Sequence, residues 1–112
     1  WLQAGHTKGV EALVRFAPGK AAEALAEEYR AATGCTEFNL EGLHMSILKP
    51  IDFGNGVLTV CMQGPNNVFC QRMVVRGDFI SSVSGFGDTR SSALARTNAI
   101  SGAALAQLDK VA

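Results

Sequence analysis

Little in this chain of 112 residues points to a metal site, a disulfide scaffold or a membrane span. Cysteine occurs three times, at Cys35, Cys61 and Cys70, without CxxC spacing, and the two histidines, His6 and His44, stand alone. Zinc needs Cys and His clustered at ligand intervals, so no metal is expected. No apolar run approaches the length of a membrane span, and no membrane partner is expected. Neither sign of charge is in excess, with ten basic and ten acidic side chains. The whole-domain positive field of most nucleic-acid binders is therefore missing, and any such binding would need a local patch.

Catalytic constellations are missing too. No nucleophile with a neighbouring base, no acid pair at fixed spacing and no phosphate-cradling loop can be named. GFGDTR, residues 85–90, is too short and misplaced for a dinucleotide fingerprint. The reading is of a non-enzymatic fragment without a cofactor. No secretory signature is visible, which places the chain in an intracellular, reducing compartment and leaves cytoplasm, nucleus and mitochondrion open. The thiols are accordingly expected to be reduced and structural, although Cys61 and Cys70 fall on hairpin-linked strands where they could face each other.

What is present is an ordinary globular composition, 47% apolar and 18% charged, enough for one domain with its own core. Trp1 is not an initiator methionine, so the chain reads as a module of something longer. Residues 1–19 read as a leader or interdomain connection, in which VEALVRF could be a helical turn or a short strand and Pro18-Gly19 stops it. From Lys20, KAAEALAEEYRAATG is a run of helix formers. Ala21, Leu25, Tyr29 and Ala32 make one stripe, Glu23, Glu27 and Arg30 take the opposite face, and Gly34 provides the stop.

Residues 35–56 mix apolar residues with Gly, Pro and Asn. HMSILK could be a short edge strand, but Pro50 cannot donate in a ladder, and the segment is expected to be an insertion packed outside the core. Gly54-Asn55-Gly56 then turns into the strand VLTVCMQ. A GPNN turn leads to VFCQRMVVR, where Phe69, Met73 and Val75 share a face, Arg72 and Arg76 point the other way and Gln71 breaks the inward pattern. Arg76-Gly77-Asp78 turns into FISSVSG. The last helix starts near Asp88 or Thr89, either able to cap it, and aligns Ala93, Thr97, Ile100, Ala104, Leu108 and Val111 in a narrow stripe able to lie close on a sheet. The expected architecture is α+β, in the order α-β-β-β-α: a three-stranded antiparallel sheet with both helices on one face.

That order, with these residues, resembles the double-stranded RNA-binding domain over residues 21–108. EEYRAATG is similar to the end of that family's first helix, Gly64-Pro65-Asn66-Asn67 to its first hairpin turn, FCQRMVVRG to its second strand and GFGDTRSSAL to the start of its last helix. The resemblance implies RNA contacts at Glu28, Asn66, Asn67, Thr89 and Arg90, with minor grooves met by the first helix and the hairpin, and phosphates met by the start of the last helix. It also implies a place in a larger RNA-processing, helicase or ribosomal protein. Asn67 stands where the family has His and keeps donor and acceptor capacity. Ser91 and Leu94 stand where it has Lys, so the copy is degenerate and its hold on double-stranded or structured RNA should be weak.

Plainer roles exist for the same residues: Glu28 as a solvated helix charge, GPNN as a good hairpin turn, and Arg72 and Arg76 as solvent or partner contacts on the outer sheet face. Two alternatives follow. One is a degenerate domain that meets protein partners in a ribonucleoprotein assembly. The other is the amino-terminal domain of a ribosomal protein of related fold, which Gly77-Asp78 and Gly85-Phe86-Gly87 suit.

Overall fold

The computed structural model describes residues 9–111. Along the chain run β1 (Gly9–Arg15), α1 (Ala21–Thr33), β2 (Glu37–Leu40), β3 (Leu43–Gly54), β4 (Val57–Gln63), β5 (Val68–Arg76), β6 (Phe79–Gly87) and α2 (Arg90–Val111). The strands form one six-stranded antiparallel sheet in the order β1-β6-β5-β4-β3-β2, curved into a half-barrel. The three-stranded sheet expected from the sequence is therefore corrected to six, with three further strands supplied by the segments read as leader and insertion.

Strands β2 to β6 are a meander of hairpins. Leu40 pairs with Leu43, Gly54 with Val57, Gln63 with Val68 and Arg76 with Phe79. Asn55 and Gly56, both at positive φ (54° and 74°), close the β3–β4 hairpin in the conformation that matches strand twist. Within the segment expected to be a leader or connection, GVEALVR is β1, paired with β6 from Gly9↔Gly85 to Arg15↔Phe79. Residues 1–8 of that expected leader lie outside the described residues.

The expected insertion is corrected as well. Its residues make β2 and β3, and β3 pairs with β4 on both sides of Pro50, through Ser46↔Gln63 to Leu48↔Cys61 and again through Asp52↔Thr59 to Gly54↔Val57. Between Leu48 and Asp52 the register shifts, so that Lys49, Pro50 and Ile51 bulge opposite Val60. The missing N–H of Pro50 falls where no ladder bond is required, and the objection that proline raises against a strand disappears.

Alternation divides the sheet into two faces, and each helix takes one. Leu58, Val60 and Met62 join the cluster that contains Ala21, Leu25 and Ala32 of α1. Thr59, Cys61, Cys70 and Arg72 point the other way, where Thr97 of α2 donates its hydroxyl to the Cys70 carbonyl (3.3 Å) and Arg72 Nη1 donates to Asn98 Oδ1 (2.6 Å). Helices expected on one face thus lie on opposite faces. The physical reason is in α2 itself: its inward side carries Thr97 and Ser101, both buried, beside Asn98, and Thr97 and Asn98 bond to a sheet face whose own polar groups would otherwise look like a solvent side.

The approach of α2 is close. A Cβ on Gly85 would lie 2.6 Å from the Thr97 nitrogen and 2.8 Å from the Ala93 oxygen, and one on Gly87 would collide with Ser92. Glycine on β6 and Ala93 and Thr97 on α2, both 0% exposed, let the two backbones meet. The predicted stripe is buried at Ala93, Thr97, Ala104 and Leu108, while the side chain of Val111 lies outside the described residues. Beneath the helix Cys61 and Cys70, directly paired with Cα atoms 4.0 Å apart, are joined as a disulfide. This replaces the expectation of reduced thiols for that pair; Cys35 is free.

Candidate functional site

Because β1 and β2 occupy opposite edges of the sheet, the segment between them must cross a whole face. α1 is that crossing. Its inward residues Ala21, Leu25 and Ala32 are buried and Tyr29 is half-buried, so most of what it presents is alanine. The face below presents Leu58, Val60 and Met62 from β4 and Phe69 and Met73 from β5. Long side chains under a helix of short ones keep the helix at a distance, and the space is not filled.

What remains is a cavity of about 440 Å³. Ala31, Ala32, Glu28 and Cys35 form the roof and rim, at the C-terminal half of α1 and just beyond it. Phe38 and Ile47 close the side, and Leu58, Val60, Met62, Phe69, Gln71 and Met73 form the floor. A concave, mostly apolar volume of this size with a few polar groups is the usual form of a small-molecule site. Gln71 is the polar group of the floor. Its Nε2 gives one of its two N–H groups to Ser82 Oγ at 2.9 Å, which ties the side chain to β6. Cys35 Sγ donates to the Glu37 carbonyl at 3.2 Å, which turns the thiol toward the chain that leads into β2. Lys49 Nζ donates to the Ala32 carbonyl at 3.2 Å, tying β3 to the end of the helix.

Of the residues expected at a nucleic-acid surface, Glu28 lies on the cavity rim, exposed. Asn66 and Asn67 are exposed in the β4–β5 turn, where the Asn67 carbonyl accepts from Gly64 N (2.9 Å) and Gln63 Nε2 (3.3 Å). Thr89 caps α2: its hydroxyl accepts from Ser92 N, and its own N–H donates to Ser92 Oγ, both at 3.1 Å, a reciprocal box in which Ser stands for the usual Glu. Arg90 donates through Nη1 to the Lys49 carbonyl (3.0 Å) and through Nη2 to the Pro50 carbonyl (2.9 Å). It thus serves the bulge of β3. Glu28 and Arg90 belong to helices on opposite faces, so the sheet separates the two helical contributions that the resemblance would bring to one RNA surface.

Arg72 and Arg76, read as outer-face residues, flank α2 instead. Arg72 bonds Thr59 (3.2 Å) and Asn98, and Arg76 Nε lies 3.8 Å from Asp109. Leu94, which stands where the resembled family has Lys, packs half-buried against the cluster of Cys61, Val68, Cys70 and Ala93. A second hollow of about 460 Å³ runs beside α2 over β4. The arginines that line it, Arg72 and Arg90, are engaged with the protein's own acceptors.

Sequence reasoning did not reach the cavity. One signal was present: Gln71 interrupts the apolar face of VFCQRMVVR, and it is the polar group of the floor. Phe38 and Ile47 were hidden in the segment read as an insertion. Among the described residues no three His, Cys, Asp or Glu side chains gather as metal ligands, and no described helix is long and apolar enough to cross a membrane. No family model matches the chain, and neither a curated protein nor a solved structure matches it.

Proposed function

We propose that this domain is a binding module that holds a small, mainly apolar molecule between α1 and the sheet. The observation that carries the reading is the cavity itself, about 440 Å³ walled by Leu58, Val60, Met62, Phe69 and Met73 with Gln71 among them. The hollow opens at the rim beside Glu28 and Ala31, and a ligand seated in it would take its apolar lining out of water. Gln71 strengthens the reading. Its carboxamide, already bonded to Ser82, keeps capacity for a further hydrogen bond to a ligand group. No step of bond making or breaking is assigned to the site.

The test is fluorescence titration with N-phenyl-1-naphthylamine, a neutral apolar probe. Saturable binding with a blue-shifted emission is expected. Ala31 is exposed yet lines the cavity, so Ala31→Phe should fill the site from the rim, abolish the signal and leave thermal unfolding nearly unchanged. Absence of saturable binding to the wild-type domain, or binding indifferent to Ala31→Phe, would refute the proposal.

A further inference from the structure

The cavity and the disulfide share the same two strands, and the inference drawn from this rests on the binding reading above. In the β4–β5 ladder Cys61↔Cys70 is flanked by Val60↔Gln71 on one side and by Met62↔Phe69 on the other. Alternation turns the two half-cystines toward α2 and their four neighbours toward α1, where all four line the cavity. The bond therefore lies directly behind the cavity floor. We infer that the Cys61–Cys70 disulfide is a redox switch on the site: the oxidised domain holds its ligand, and reduction weakens that hold.

Room decides the direction. A disulfide keeps its sulfurs about 2.0 Å apart, whereas two thiols need the roughly 3.5–4 Å of ordinary non-bonded contact. On the α2 side the pair is closed in, with Cys61 3% and Cys70 0% exposed and Val68, Ala93, Leu48 and Leu94 packed around them. The Cys70 carbonyl accepts from Thr97 at 3.3 Å, which ties β5 to the helix. Separation of the sulfurs therefore falls on β4, and the open volume lies on its other face. Val60 and Met62 move into the space that a ligand needs. By linkage, a bound ligand opposes reduction by the same factor.

The reductant is a dithiol. Its thiolate attacks the Cys61 sulfur, which borders the hollow beside α2, to form a mixed disulfide, and Cys70 leaves as a thiolate that takes up a proton. The second thiol of the reductant then closes its own disulfide and releases Cys61 as a thiol, so that two electrons and two protons pass to the protein.

The experiment is titration of N-phenyl-1-naphthylamine into the oxidised domain and into the domain reduced with dithiothreitol, with circular dichroism of both forms to follow the sheet. Kd should rise about five-fold or more on reduction, the lower end of ordinary coupling between two sites. In Cys61→Ala/Cys70→Ala, dithiothreitol should change nothing, which separates the pair from the free Cys35. Saturating probe should also raise the ratio of reduced to oxidised dithiothreitol at which half of the wild-type domain is reduced. An equal or lower Kd on reduction, as when the Cys61 thiol swings into the hollow beside α2, overturns the inference. So does an effect that persists in the double variant or that comes only with loss of the sheet; each of these leaves the binding reading intact. Failure of the probe to bind the oxidised domain overturns both.

Discussion

Two helices rich in alanine cover the two faces of the same sheet, and only one of them closes its face. Over β5 and β6, α2 sets Ala93 and Thr97 against Gly85 and Gly87, and the backbones come within a distance that no side chain could share. Across the sheet α1 offers Ala21, Ala32 and a single Leu25 to a face of leucine, methionine and phenylalanine, and a cavity of about 440 Å³ stays open. A small-residue stripe therefore gives close packing only where the opposing surface is small as well. Tight packing on the α2 side holds the frame, and loose packing on the α1 side makes room.

The contrast can be broken most severely at Gly85. Gly85→Val would drive a side chain into the Thr97 and Ala93 backbone, and a loss of about 3 kcal/mol in chemical denaturation is expected, since forced overpacking against backbone cannot relax by rotamer changes. A loss under about 1 kcal/mol would mean that α2 can ride over β6 without cost. Next in size is Thr89→Ala, which removes the cap and its reciprocal bonds with Ser92. About 1 kcal/mol should be lost, with fraying confined to the first turn of α2 in hydrogen exchange.

On the open face the expectation inverts. Val60 is buried but lines the cavity, so Val60→Phe should stay within about 1 kcal/mol of the wild type, unlike added bulk in a filled core. A cost near that of Gly85→Val would show that the cavity collapses in solution. The smallest effect concerns RNA. Titration with duplex RNA at low salt is expected to give no saturable binding, because Arg90 is spent on Lys49 and Pro50 carbonyls. Saturable binding lost in Arg90→Gln would return the RNA surface to consideration.

Much of the fold was legible where one periodicity ran unbroken. VLTVCMQ and VFCQRMVVR are β4 and β5 with the predicted bounds, and the helical stripes are buried at Ala21, Leu25, Ala32, Ala93, Thr97, Ala104 and Leu108. β3 was obscured by Pro50, because a rule about proline in a regular ladder is silent on a bulge that removes the need for its N–H. β1 was obscured because VEALVRF suits two periods over so few residues, and its partner lies at the other end of the chain. The placement of the helices on opposite faces was hidden for a different reason: a stripe tells which side of a helix turns inward, not which side of a sheet receives it. The polar face of β4 and β5 looked like a solvent face until Thr97 and Asn98 were seen to serve it.

The pairing of the first described strand with the last has a temporal consequence. Every neighbour pair from β2 to β6 is joined by a short turn and can close locally, whereas β1 must find β6 across a chain separation of roughly 70 residues, for which loop entropy is surrendered before any contact repays it. The meander can therefore assemble as a five-stranded platform first, with β1 docking afterwards and drawing α1 across the face as it does so. The space under α1 would then be the last part of the molecule to be enclosed. In pulsed amide exchange during refolding, β4 and β5 should gain protection ahead of β1. Simultaneous protection of all three would show instead that closure of the sheet is part of the nucleus.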